Sequence, residues 1–247
     1  MKTLGVILAR AGSLGLPNKH LLPLLGRPVI EYTFDHARAA HRLTDVVVSS
    51  DCAKVRQAGI HAGFTAIARP AVLATSDASV QAVLLHAMHA SEASKGLRYD
   101  AIVTLYGNCP LRGEGVIDRA LEELQRAGCD SIRTFCPVGK WHPGWMSRLN
   151  DGRVEPLRAG SIHRRQDLEP LFLHDGAVVA VTRASMLRGE ATPNDPHAFF
   201  GVDRRGIETA MGETVEIDHL RDLYWAEAVL RERQTTAPVS EVRRIAS

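Results

Sequence analysis

Hydrophobic and polar positions along the chain repeat in two ways, one typical of buried strands and one typical of helices. Short apolar runs bounded by turn-forming residues predict strands at residues 4–8, 46–48, 64–68, 102–105, 131–135, 176–181 and 213–217. Apolar residues spaced three or four positions apart predict helices at residues 28–42, 53–62, 78–94, 115–127 and 219–233. Alternating strands and helices with short links predict an α/β fold, in which a doubly wound, mostly parallel sheet is covered by helices on both faces.

This alternation stops at residues 138–175, which are rich in Gly and Pro and have no long periodic run. Within a compact domain, such a stretch is usually a functional insertion or an oligomerisation arm. We therefore predict one main domain formed by residues 1–137 and 176–234, an insertion at residues 138–175, and a flexible polar tail at residues 235–247.

Composition and charge exclude several classes of protein. The 247 residues are 45% hydrophobic, which supports a full core, and the net charge of +2 is too small for a nucleic-acid-binding surface. The four cysteines include no CxxC pair, so neither a zinc site nor a disulfide framework is expected. No apolar stretch approaches the ~20 residues of a membrane span. The first ten residues lead directly into a Gly-rich loop, which favours a buried strand over a signal peptide, and we expect a cytoplasmic protein.

The loop at residues 9–19, which follows the first predicted strand, is the segment that most clearly indicates a ligand-binding site. Ligands of α/β sheets bind at the carboxyl ends of strands. Gly12 and Gly15 allow backbone N–H groups to approach phosphate oxygens, and Arg10 and Lys19 add positive charge. The spacing fits neither a GxxxxGK[ST] loop nor a GxGxxG fingerprint. The loop therefore predicts a cradle for a nucleoside triphosphate, with a simple strand-to-helix turn as the alternative.

A series of motifs along nearly the whole chain resembles the acylneuraminate cytidylyltransferases, in the same order. They are Ala9-Arg10-Ala11-Gly12-Ser13-x-Gly15-x-Pro17-x-Lys19 with residues 25–30, Ser49-Ser50-Asp51, Arg69-Pro70-x-x-Leu73-Ala74-x-x-Asp77-Ala78-Ser79, residues 105–112, Lys140-x-His142-Pro143, Arg164-Arg165-Gln166-Asp167, Asp175-Gly176-Ala177 and Glu216-Ile217-Asp218. The resemblance implies a Rossmann-like nucleotidyltransferase that transfers CMP from CTP to a carboxylated sugar and releases pyrophosphate. It also implies Mg²⁺ (or Mn²⁺) and a homodimer in which the insertion completes the partner's acceptor site.

The same resemblance assigns residues to the nucleotide. The residues expected to hold the triphosphate are Ala9, Arg10, Ala11, Gly12, Ser13, Gly15 and Lys19. Arg10 and Lys19 are expected to neutralise charge and to be catalytic together with Asp218. Arg69, Ala78 and Ser79 are expected to line the base and ribose pocket, although an ordinary surface arginine is the alternative for Arg69. Asp77 is expected to cap the helix that begins at residue 78.

Glu216 and Asp218 are the predicted metal ligands, because two residues apart on a strand place both carboxylates on one face. The family commonly has Asp-Ile-Asp here, so Asp218 is the stronger candidate, and an N-cap for the following helix is its alternative. The residues expected to contact the acceptor are Tyr106, Asn108, Lys140, His142, Arg165 and Gln166. Arginine suits a sugar carboxylate, and a solvated charge run is the alternative for Arg165 and Gln166.

Three positions depart from the family pattern. Leu14 replaces a lysine, Tyr106 replaces the glutamine of sialic acid enzymes, and Asn108 replaces the metal-binding aspartate of the 3-deoxy-octulosonate enzymes. These changes imply a reshaped acceptor pocket for a sialic acid-like nonulosonate, a 3-deoxy acid or a phosphonate. A degenerate nucleotide-binding protein without catalysis is the alternative from another class, and an NAD-binding protein is a distant third. Cys109 has no identifiable base partner and is not expected to be a nucleophile.

Overall fold

The computed structural model describes residues 1–12, 15–158 and 164–236. The strands are β1 (Thr3–Leu8), β2 (Pro23–Leu24), β3 (Arg27–Pro28), β4 (Asp45–Ser50), β5 (Thr65–Ala68), β6 (Ala101–Tyr106), β7 (Ser131–Pro137), β8 (Ser147–Asn150), β9 (Arg153–Pro156), β10 (Phe172–Thr182) and β11 (Arg204–Glu208). The α-helices are α1 (Val29–Ala39), α2 (Ala53–His61), α3 (Val80–Lys95), α4 (Val116–Ala127), α5 (Arg183–Ala191) and α6 (Leu220–Thr236).

Seven of these strands form the central sheet in the order β11-β7-β10-β6-β1-β4-β5. All neighbours are parallel except β10, which runs antiparallel to both β6 and β7. The predicted mostly parallel α/β sheet is therefore confirmed. Because β1, β4 and β6 are parallel neighbours, the loops after all three strands lie side by side at one edge of the sheet, where ligands of this fold class bind.

The core occupies both faces of the sheet, as the doubly wound prediction requires. On one face, Val103 and Leu105 of β6 belong to a buried cluster with residues of α1 and α4. On the other face, Ile102 belongs to a second cluster with Leu84 and Met88 of α3. This alternation follows from the two-residue period of a strand, and each fully buried large aliphatic side chain contributes roughly 1.5–3 kcal/mol.

The prediction of a last strand at residues 213–217 is wrong. Val215 makes only an isolated antiparallel bridge with Leu111, and the N–H of Ile217 donates to the carbonyl of Asn108 at 2.7 Å. The segment therefore binds the loop after β6 instead of extending the sheet. The edge strand β11 was not predicted, because its exposed sequence contains a single large aliphatic residue, Ile207.

Within residues 138–158 and 164–175, part of the predicted insertion forms the exposed hairpin of β8 and β9. Large apolar side chains are exposed here: Trp141, Trp145, Met146, Leu149, Val154, Leu157, Phe172 and Leu173. The division of the chain into a main domain and an insertion stays a prediction, and residues 237–247 of the predicted tail lie outside the described residues. None of the helices within the described ranges combines the length and the apolar character needed to cross a membrane.

Candidate active site

Two adjoining cavities open at the carboxyl edge of the sheet and share Lys19, Tyr106 and Asn108. Cavity A has a volume of about 250 Å³ and is lined by Leu8, Arg10, Lys19, His20, Arg69, Leu73, Thr75, Ser76, Ala78, Val80, Val83, Tyr106 and Asn108. Cavity B has a volume of about 290 Å³ and is lined by Lys19, Tyr106, Asn108, His174, Gly176, Glu216 and Asp218. The fold therefore brings β1 and the loop after it together with four other segments, which lie at residues 69–83, 106–108, 174–176 and 216–218.

The loop after β1 is held in place by its neighbours on the sheet. The N–H of Ala9 donates to the carbonyl of Ser49 at 3.2 Å, and the N–H of Ala11 donates to Oδ1 of Asp51 at 2.9 Å. At Gly15, a Cβ atom would lie 2.7 Å from the carbonyl oxygen of Asp218, so only glycine permits this close approach. The predicted ligands Ser13 and Gly12 stay predictions, and Ser13, like Leu14, lies outside the described residues.

Arg69 is the most buried cation of cavity A, with 8% of its surface exposed. Its guanidinium donates to the carbonyl of Ser49 at 2.8 Å and to Oγ of Ser49 at 3.3 Å. Burial lowers the pKa of Arg69 from its ordinary value, although arginine keeps its charge at neutral pH. Arg69 is therefore not the ordinary surface arginine of the alternative interpretation, and it places a buried positive charge beside Arg10 and Lys19.

His20 also lines cavity A, and sequence reasoning missed it. Its side chain is buried, and its Nδ1 atom has no hydrogen-bond partner among the described residues. Burial, followed by the charge of Lys19, lowers the pKa of His20 to about 4, so the imidazole is neutral at pH 7. Its position directly after Lys19 was the only sequence feature that pointed to it.

The carboxylates of Glu216 and Asp218 both line cavity B, with the buried Ile217 between them. Oδ1 of Asp218 accepts from Nζ of Lys19 at 2.7 Å and from Nδ2 of Asn108 at 3.4 Å. Burial, and then the charge of Asp218, raise the pKa of Glu216 to about 7. Both residues therefore line the same cavity although the strand from which this was argued does not form, and their role as metal ligands stays a prediction.

At the start of the last helix, the side chain that accepts from backbone N–H groups is that of Asp222 and not that of Asp218. The N–H groups of Asp218 and His219 both donate to Oδ2 of Asp222, at 3.0 and 2.7 Å. Asp222 lies in the first turn of α6, and its carboxylate satisfies donors that precede the helix. The Asp218 side chain is thus left for Lys19, Asn108 and cavity B.

Glu216 and Asp218 fit an Mg²⁺ ion whose remaining ligands are waters and the phosphates of the substrate. No group of three or more His, Cys, Asp or Glu residues within the described ranges is arranged to hold a metal ion. Mg²⁺ is commonly bound by one or two protein carboxylates together with waters and the phosphates of the substrate. Glu216 and Asp218, which both line cavity B, could supply hard oxygen ligands of that number.

Asp175 and Gly176 explain the position of Glu216. The Asp175 carboxylate accepts from the hydroxyls of Thr134, Thr209 and Thr214 and from the N–H of Ala177. Burial raises its pKa, but these hydrogen bonds outweigh burial, so the pKa of Asp175 lies below its ordinary value. Gly176 has φ +77°, and a Cβ atom there would lie 2.5 Å from Cδ of Glu216. The sequence analysis used Asp175-Gly176-Ala177 only as one of the motifs that resemble the family, and it assigned these residues no role in positioning Glu216.

Arg112 and Cys109 shape the loop after β6 from within the core. The guanidinium of Arg112 donates to the carbonyls of Tyr106, Cys109 and Ala177, which fixes this loop against β10. The Cys109 thiol is fully buried and donates to the carbonyl of Leu111, and burial raises its pKa to about 12. Full burial of the thiol and its raised pKa both disfavour a nucleophilic role for Cys109.

Three of the predicted acceptor residues, Lys140, His142 and Gln166, are not among the described residues that line either cavity. Lys140 Nζ lies 5.0 Å from the centre of the Trp141 ring. His142 is buried, accepts from the N–H of Gly144 and bonds the carbonyl of Glu169. Gln166 is exposed, and the side chain of Arg165 lies outside the described residues.

Helix α3 begins differently from the prediction. It starts at Val80, and the Oγ atom of Ser79 accepts from the N–H of Ala82 at 3.1 Å, which makes Ser79 the N-cap. The carboxylate of Asp77 accepts instead from the hydroxyl of Ser76 at 3.3 Å. The expectation that Asp77 caps this helix was therefore wrong. Ala78 lines cavity A as predicted, whereas Ser79 is not among the residues that line it.

Comparisons with known proteins agree with this geometry. The family model described as Cytidylyltransferase matches residues 4–151. An N-acylneuraminate cytidylyltransferase of Streptococcus agalactiae is 31% identical over 192 residues, which cover 76% of this chain and 45% of the relative. A pseudaminic acid cytidylyltransferase of Campylobacter jejuni is 31% identical over 125 residues, covering 50% of this chain and 53% of the relative. This chain thus spans about half the length of these curated relatives.

Among solved structures, a CMP:2-keto-3-deoxy-manno-octonic acid synthetase complexed with CTP has the same fold. The TM-score is 0.73 at 20% sequence identity, and the match covers 94% of this chain and all of that one. Because it covers 94% of this chain, this likeness of fold extends beyond residue 151. Because the family model matches more than half of the sequence, this chain belongs to the cytidylyltransferase family.

Proposed function

We propose that this chain transfers CMP from CTP to a carboxylated sugar and releases pyrophosphate. The observation that carries the proposal is the pair of adjoining cavities joined at Lys19. Cavity A collects the cations Arg10, Lys19 and Arg69, whereas cavity B carries the carboxylates Glu216 and Asp218. A polyphosphate suits the first arrangement, and a metal-assisted reaction at its edge suits the second.

In this proposal, cavity A holds the nucleotide. The backbone of the loop after β1 donates to phosphate oxygens, and Arg10 and Lys19 neutralise their charge. Arg69 and Ala78 line the base and ribose. The neutral imidazole of His20 adds a hydrogen-bonding group without adding a fourth charge.

The proposed transfer of CMP depends mainly on positioning and on the stabilisation of negative charge. A hydroxyl oxygen of the acceptor attacks the α-phosphorus of CTP and its proton passes to water. The new P–O bond forms, and the bond to pyrophosphate breaks. Arg10 and Lys19 stabilise the charge that develops on the phosphate oxygens and on the leaving group. Asp218 and Glu216 would hold Mg²⁺ (or Mn²⁺), which would supply further positive charge there.

Cavity B takes the acceptor, with Tyr106 and Asn108 on its wall. The names of the relatives support a nonulosonic acid or a related 3-deoxy acid as the acceptor class. In a homodimer, Lys140, His142, Arg165 and Gln166 of the insertion would lie close to the partner's cavity B. The exposed apolar side chains of the insertion support such an interface, because large exposed apolar patches commonly mark interaction sites.

The first test is the thermal stability of the protein with Mg²⁺ and each of CTP, UTP, ATP and GTP. A ligand at about 100 times its Kd stabilises the folded state by about 2.7 kcal/mol, which is a shift of several degrees for a chain of this size. We expect a shift selective for CTP. A selective shift with another nucleotide would contradict the assignment to CTP, and no shift with any nucleotide would favour a degenerate protein.

The second test measures pyrophosphate release with CTP and one acceptor at a time. N-acetylneuraminate and 3-deoxy-manno-octulosonate represent the proposed acids, and 2-aminoethylphosphonate represents the phosphonate alternative. Turnover with an acid supports the proposal, whereas turnover with the phosphonate alone favours that alternative. Sedimentation of the wild type and of Leu149→Glu tests the homodimer, which should dissociate in the variant. The cytoplasmic location and the absence of a nucleic-acid partner stay predictions.

A further inference from the structure

We propose that His174 determines the specificity of cavity B: its Nε2 atom accepts a hydrogen bond from a hydroxyl or amide N–H group of the acceptor sugar. This inference rests on the proposed function, since it assigns cavity B to the acceptor. His174 was not among the predicted acceptor residues. It enters the site through its place in the fold, because β10 carries it to the wall of cavity B opposite the loop after β1.

The hydrogen bond on the other side of the ring determines which nitrogen carries the proton. Nδ1 of His174 lies 2.9 Å from the carbonyl oxygen of Thr134. A carbonyl oxygen only accepts hydrogen bonds, so Nδ1 must be the donor. In a neutral imidazole protonated at Nδ1, Nε2 carries a lone pair and no hydrogen. The free nitrogen of His174 is therefore an acceptor.

The ring is held in place by the backbone of the sheet. His174 pairs with Phe135 in the antiparallel register of β10 and β7. The ring of Phe135 meets the His174 ring edge to face, with 5.8 Å between their centres. The side chain thus has a backbone partner on one edge and an aromatic partner nearby, and this preorganisation suits a group that selects ligands.

The imidazole is neutral at physiological pH. Burial lowers the pKa of His174 from its ordinary value, and the positive charge of Arg133 lowers it further. The hydrogen bond to Thr134 and the charge of Asp175 act in the opposite direction but do not reverse the shift. Nε2 of a neutral His174 accepts a hydrogen bond from a donor group of the sugar, but it does not stabilise an anionic group.

The other described residues that line cavity B also favour an uncharged hydrogen-bond donor of the acceptor sugar as the partner of His174. Lys19 is the single Lys or Arg among them, and its ammonium is already paired with Asp218. Because Glu216 and Asp218 are assigned to the metal ion, their charge does not decide which part of the acceptor lies beside His174. A neutral Nε2 atom, in a cavity whose ammonium is already paired, suits a hydroxylated or acylamino part of the sugar better than its carboxylate.

Two variants separate Nε2 from the rest of the ring. His174→Asn keeps an amide N–H close to the position of Nδ1 and removes Nε2, whereas His174→Phe keeps the aromatic packing and removes both nitrogens. His89→Asn, at an exposed position of α3, is the matched control. Loss of one hydrogen bond worth about 1 kcal/mol corresponds to roughly a 5-fold change in an equilibrium constant.

With N-acetylneuraminate or 3-deoxy-manno-octulosonate as the acceptor, we expect both His174 variants to raise the acceptor KM by about 5-fold or more. The KM for CTP should change less than 2-fold, a limit of about 0.4 kcal/mol. An unchanged acceptor KM in His174→Asn would overturn the inference. Equal increases in both KM values would also overturn it, because they would indicate a structural role.

A second measurement does not depend on turnover. Long-range ¹H–¹⁵N spectra of the full chain at pH 7.5 report the protonation of each imidazole nitrogen, and the His174 variants assign the signals. We expect His174 to be protonated at Nδ1 alone, and addition of either sugar acid with CTP in the absence of Mg²⁺ to shift its Nε2 resonance. Protonation at Nε2, or no shift with either sugar, would overturn the inference. Absence of turnover with a clear Nε2 shift would count against the proposed reaction and leave His174 as a ligand-binding residue.

Discussion

Nζ of Lys19 lies 2.7 Å from Oδ1 of Asp218, although the two residues are 199 positions apart in the sequence. The contact joins the loop after β1 to the segment before α6 at the boundary of cavities A and B. An ion pair with one exposed partner contributes little to the stability of the fold. Asp218 is about half exposed, with 57% of its side-chain surface accessible. The pair therefore matters mainly for positioning, since it holds an ammonium and a carboxylate where the two cavities meet.

Replacing Asp218 tests its proposed role in metal binding. In Asp218→Asn, we expect kcat to fall by about 10²- to 10³-fold. The substitution removes the negative charge of a side chain that is both the proposed metal ligand and the ion-pair partner of Lys19. The melting temperature should change little, since the side chain is largely exposed. Pyrophosphate release and thermal unfolding measure the two effects. Asp151→Asn, at an exposed turn, is the control, and turnover at the wild-type rate in Asp218→Asn would contradict the assignment.

Gly176 offers a test of how Glu216 is positioned. In Gly176→Ala, the new Cβ atom would lie 2.5 Å from Cδ of Glu216, so the carboxylate must move. Gly152→Ala is a matched control, because Gly152 also has a positive φ of +80° but no atom within 4 Å of the added Cβ. Both variants should lose about 1 kcal/mol of stability from backbone strain. Only Gly176→Ala should lower kcat, and equal kcat values in the two variants would show that Glu216 is not needed at this position.

Ser79 and Asp77 test the start of helix α3. Ser79→Ala removes the hydroxyl that accepts from the N–H of Ala82, and we expect the free energy of unfolding to fall by about 1 kcal/mol. Asp77→Ala should change it by less than about 0.5 kcal/mol, because this carboxylate bonds only a neighbouring hydroxyl. Denaturant midpoints at constant m-value measure both changes. A larger loss in Asp77→Ala than in Ser79→Ala would contradict the assigned cap.

His36 gives the protein a dependence of stability on pH. Burial, followed by the charge of Arg112, lowers the pKa of His36 from 6.5 to about 3, and its Nδ1 atom interacts with Nη1 of Arg112 at 3.2 Å. Below pH 6.5 the unfolded chain binds a proton at this residue and the folded chain does not. The stability contributed by neutral His36 is therefore complete above pH 6.5 and decreases as the pH falls towards 3.

Between pH 7 and pH 5, this single group should cost the wild type about 2 kcal/mol. His36→Asn retains an oxygen that accepts from Arg112 and removes the titration, so its stability should decline less over the same range. Urea unfolding at pH 7, 6 and 5 measures the difference. Parallel declines in the two proteins would show that His36 does not remain neutral in the folded state.

The fold could be predicted where an apolar pattern determines the local structure. The apolar period of β6 and the helical period of α4 predicted both elements to within one or two residues. Strand β11 and residues 213–217 were misjudged because their pairing partners lie far away in the sequence. An edge strand needs no apolar run, and an apolar run does not form a strand when a loop offers its backbone groups better partners.

For the candidate site, the sequence alone determined the types of charged group and the loops that carry them. Arg10, Lys19 and Arg69 line cavity A because the carboxyl ends of parallel strands meet at one edge of the sheet. Glu216 and Asp218 line cavity B because their segment binds the loop after β6. Only the tertiary structure decided the state of each group. The neutral form of His20, the raised pKa of Glu216 and the proton on Nδ1 of His174 depend on burial and on partners distant in sequence. These long-range contacts have no local pattern, so the folded chain alone determines them.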